Sequence, residues 1–85
     1  MERLSELPNI GPVVEKQLEE AGITTADELR EAGAEVAWLR IQCNDPSACI
    51  HRLLSLEGAI RGIRKADLPP DRKAELKAFY AAHKL

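Results

Sequence analysis

The chain is 85 residues long, with 45% apolar residues, only 4% aromatic residues and 31% charged residues that nearly cancel to net −2. A domain of this size hides only about 60% of its unfolded surface, so one thin core is expected and a deep, substrate-enclosing cleft is not. Two cysteines make no disulfide scaffold, no apolar run approaches a membrane span, and the opening Met1-Glu2-Arg3-Leu4 lacks a signal-peptide pattern. A single cytoplasmic domain over residues 1–85 is the expectation.

Strand-type alternation is nearly absent, whereas helical punctuation is dense. Leu4 and Leu7, three apart, suit one short helical turn. Pro8-Asn9-Ile10-Gly11-Pro12 is a tight break, and Pro12 fits the first position of a helix, where its missing N–H is not needed. That helix is predicted to run to Ala21, with Val14, Leu18 and Ala21 as its apolar stripe, and to stop at Gly22. Ile23 follows as a plug.

Thr25-Ala26-Asp27-Glu28 is a capping box. It opens a short helix that turns Ala26 and Leu29 inward and ends at Gly33. Ala34 to Gln42 reads as a third helix, with Val36, Trp38 and Leu39 as candidate buried residues. In Asn44-Asp45-Pro46-Ser47, Asp45 is expected to cap the next helix with Pro46 at its first position. That helix, Pro46 to Ile63, is expected to be the longest and central one, carrying Cys49, Leu53, Leu56, Ile60 and Ile63 on one face. Gly58 and Gly62 beside Ser55 make a smooth strip along it, best suited to close packing of another helix or of the hairpin. After Leu68-Pro69-Pro70, a last helix from Asp71 to His83 is anchored by Leu76, Phe79 and Tyr80. The fold class is therefore all-α: about five short helices in a compact orthogonal bundle.

Leu7-Pro8-Asn9-Ile10-Gly11-Pro12, followed by a helix ending in Ala21-Gly22-Ile23, resembles the helix-hairpin-helix motif. In that motif a glycine-rich hairpin and a helix N-terminus aim backbone N–H groups at a DNA phosphate. The match continues through Thr24-Thr25-Ala26-Asp27-Glu28-Leu29-Arg30-Glu31-Ala32-Gly33-Ala34, Leu56-Glu57-Gly58-Ala59-Ile60-Arg61-Gly62-Ile63 and Asp67-Leu68-Pro69-Pro70-Asp71-Arg72-Lys73-Ala74-Glu75-Leu76-Lys77. As an ordered set over residues 4–78, these segments resemble the C-terminal domain of the TfoX/Sxy family of bacterial competence regulators. The resemblance implies an all-helical, non-enzymatic regulatory domain linked to transcriptional control of DNA uptake, in some bacteria together with a cAMP-receptor-type activator. Regulators of this family usually carry an N-terminal domain ahead of this one. The expected partner is therefore a protein, either a separate TfoX N-terminal-type domain or a transcription factor, with DNA as the alternative.

Charge bears on that alternative. Residues 1–33 hold eight acids and three bases, net −5, while residues 34–85 hold six acids and nine bases, net +3. Duplex DNA rewards clustered cations through counterion release, and the hairpin half offers the opposite field. Asn9 stands where the first hairpin glycine is usual, and Val13 and Val14 stand where DNA-binding hairpins usually place Lys or Arg. The candidate contact set for nucleic acid or a partner is Asn9, Ile10, Gly11 and Val13 of the hairpin, with Arg61, Arg64, Lys65, Arg72 and Lys73 of the basic half. The bland reading of the basic residues is a solvated helix face, since Asp67, Asp71 and Glu75 interleave with them. Cys43, Cys49, His51 and His83 lack zinc-type spacing, and neither a catalytic constellation nor a Walker-type loop is present. No metal, cofactor or membrane association is expected.

Overall fold

A computed structural model describes residues 3–85; Met1 and Glu2, which open the stretch read for a signal peptide, lie outside the described residues. A three-residue 3-10 turn at Leu4–Glu6 leads into the hairpin. Four α-helices follow: α1 (Pro12–Glu20), α2 (Ala26–Asn44), α3 (Ile50–Arg61) and α4 (Pro70–His83), with a second 3-10 turn at Lys65–Asp67 between the last two. There is no strand among the described residues.

Local chemistry sets most boundaries. Pro12 occupies the first turn of α1. The Thr25 hydroxyl accepts the Glu28 N–H, and the Glu28 carboxylate in turn accepts the Thr25 N–H, closing the expected capping box at the start of α2. Gly33 has φ 83° and ψ 160°, a conformation essentially confined to glycine. It kinks α2 into the two helical segments expected from the sequence.

Helix α3 lies at the centre, packed against α2, α4 and the Lys65–Asp67 turn. Leu53, Leu56 and Ala59 are fully buried with Leu18, Leu29, Trp38, Ile41 and Leu76. The Trp38 ring meets Phe79 and Tyr80 edge-on, at centroid distances of 6.2 and 5.6 Å. Its indole N–H donates to the carbonyl of Cys49 at 3.2 Å. One large aromatic thus ties the last segment of α2 to the start of α3 and the end of α4.

Five expectations need correction. Helix α3 begins at Ile50, not Pro46, and at 12 residues it is shorter than α4 at 14. Asp45 does not cap it: its Oδ1 accepts the Ser47 N–H at 3.1 Å and its Oδ2 accepts the Gln17 amide at 3.0 Å, so the carboxylate closes a turn instead. Cys49 is consequently the N-cap residue and only half-buried, not a core position. Val36 is 42% exposed; Ala34, Ala37, Trp38 and Ile41 face inward, because the kink resets the helical phase. Gly62 is not in the helix interior but is the left-handed C-cap of α3, at φ 75°.

Candidate nucleic-acid and partner interface

The hairpin is held against the C-terminal end of α3 by one side chain. Asn9 adopts φ 68°, a left-handed conformation that Asn tolerates better than most residues. Its Nδ2 donates to the carbonyls of Ile63 at 3.1 Å and Ser55 at 3.4 Å, and its Oδ1 accepts the Lys65 N–H at 3.3 Å. Asn9 rests on Gly58, where a Cβ would lie 2.5 Å from Nδ2 and 2.7 Å from the Ile63 carbonyl. The smooth strip is therefore filled from within, at Gly58, by the hairpin. Ile10 is buried in the core, Gly11 is exposed, and Val13 is 66% exposed at the start of α1.

The basic members of the set gather around the same end of α3. Arg61 Nε donates to Glu57 at 2.6 Å. Arg72, from α4, donates to Glu57 at 3.1 Å and to Glu35 of α2 at 2.9 Å, and stands 3.7 Å from Glu75. Glu57 is only 8% exposed. Burial pushes its carboxyl up, but the hydrogen bonds from Arg72 and then Arg61 outweigh this and hold it below the ordinary carboxylate range. The Arg72 guanidinium is correspondingly stabilised in its charged form, first by Glu57. Arg64 pairs with Asp67 at 3.4 Å with both side chains largely exposed, and Lys73 Nζ donates to the Ala66 carbonyl at 3.1 Å. The Lys65 side chain is exposed.

The fold thus brings the hairpin and the basic residues together through the Asn9–Lys65 contact, across more than fifty residues of chain. It also engages Arg61 and Arg72 with carboxylates. Sequence reasoning missed Glu35 and Glu57. The available signal was Glu57 itself, four residues after Leu53 on the core-facing side of α3 and therefore in need of a buried cation. Among the described residues no three His, Cys, Asp or Glu side chains converge as a metal site, and no helix is long and apolar enough to cross a membrane.

The model of the TfoX C-terminal domain matches residues 1–80. The chain belongs to the TfoX C-terminal domain family. Protein Sxy of Escherichia coli K12 is 43% identical over 75 residues, which is 88% of this chain but 36% of that protein's length. Two crystal structures from Listeria monocytogenes share the fold at 50% identity. One, of an uncharacterized protein in a triclinic form, has a TM-score of 0.93 and matches 94% of this chain and 91% of its own. The other, of a protein of unknown function in a tetragonal form, has a TM-score of 0.90 over 92% and 96% respectively. The chain spans about a third of the length of the curated relative it matches.

Proposed function

We propose that this TfoX C-terminal domain is a non-enzymatic interaction module that binds a protein partner in transcriptional control. The partner is either a TfoX N-terminal-type domain on another chain or a transcription factor. One observation carries this reading: two of the guanidinium groups of the candidate basic set, Arg61 and Arg72, are engaged by Glu57 and Glu35. Helix α1, which the hairpin would present to DNA, carries Glu15, Glu19 and Glu20 against Lys16 alone. Phosphate binding gains from released counterions only where cations are unneutralised.

A second reading, direct DNA contact, is supported by the Asn9–Lys65 hydrogen bond, which sets the hairpin against the backbone of Lys65, whose side chain is exposed. Fluorescence anisotropy with a labelled duplex separates the two. Weak binding at ~150 mM salt with a shallow salt slope is expected, together with saturable calorimetric binding to a purified TfoX N-terminal-type domain. A steep salt slope, abolished by Gly11→Asp at unchanged stability, would place DNA at the hairpin and overturn the protein reading.

A further inference from the structure

We draw no further inference here: the strongest candidate, the outward face of α4 on which Ala74, Ala78, Ala81 and Ala82 are exposed opposite the buried Leu76, is a stripe of small residues, and nothing in the structure shows what covers it.

Discussion

Gly58→Ala is the sharpest test of how the hairpin is held. In a solvent-facing helix this change stabilises by about 1 kcal/mol. Here the new methyl would sit 2.5 Å from Asn9 Nδ2, 2.7 Å from the Ile63 carbonyl and 3.2 Å from the Lys65 nitrogen. Overpacking of this kind costs about 1–3 kcal/mol. Displacing the Asn9 amide weakens its bonds to Ile63 and Ser55, each worth about 0.5–1.5 kcal/mol net. After subtracting the helix gain, the variant should lose about 1–5 kcal/mol, and the middle of that range lowers Tm by roughly 10–25 °C in a domain of this size. Thermal denaturation followed by circular dichroism and by the fluorescence of the buried Trp38 measures it. Asn9→Gly keeps the positive φ while removing the amide that the methyl strikes. The Gly58→Ala penalty should therefore shrink in an Asn9→Gly background, with a coupling above about 0.5 kcal/mol. A Tm that is unchanged or raised in Gly58→Ala would refute the close approach, and strict additivity would refute the latch.

Three further outcomes follow from the charge network and the kink. Arg72→Met removes the guanidinium that faces Glu57 and Glu35 and leaves Glu57 with Arg61 alone; urea denaturation should show a loss of about 2–4 kcal/mol, near the lower end of the range for breaking a buried pair. Because the Glu57 carboxyl is depressed below its ordinary 4.5, its stabilising contribution is fully present above that value and is lost as pH falls through the lower folded value. An acid titration of Tm should therefore be less steep in Arg72→Met than in the parent chain, and identical acid limbs would contradict the network. Gly33→Ala meets no atom within 4 Å, so its expected loss of about 1–3 kcal/mol is backbone strain alone; a neutral result would mean the kink relaxes without consequence.

The fold was largely legible because its punctuation is local. Pro12, the Thr25–Glu28 capping box, the stop at Gly33 and the Pro69-Pro70 break each act within a few residues, so reading them needs no knowledge of tertiary contacts. The errors arose where a local signal had a nonlocal competitor. Asp45-Pro46 reads as a cap and first turn, but Gln17 of α1 reaches the Asp45 carboxylate and Trp38 takes the Cys49 carbonyl, so the chain completes a turn before α3 begins. Val36 lost its inward place because a kink at positive φ breaks the periodicity that a continuous helix would carry across it.

The candidate site was legible only as an inventory. Its residues do gather at one end of α3, but their charge state depends on partners 15 and 37 residues away in sequence that no spacing rule pairs. Counting cations overstates a phosphate-binding surface when a buried carboxylate needs two of them. Glu57 is that carboxylate, and its burial makes Arg61 and Arg72 part of the interior electrostatics of the domain.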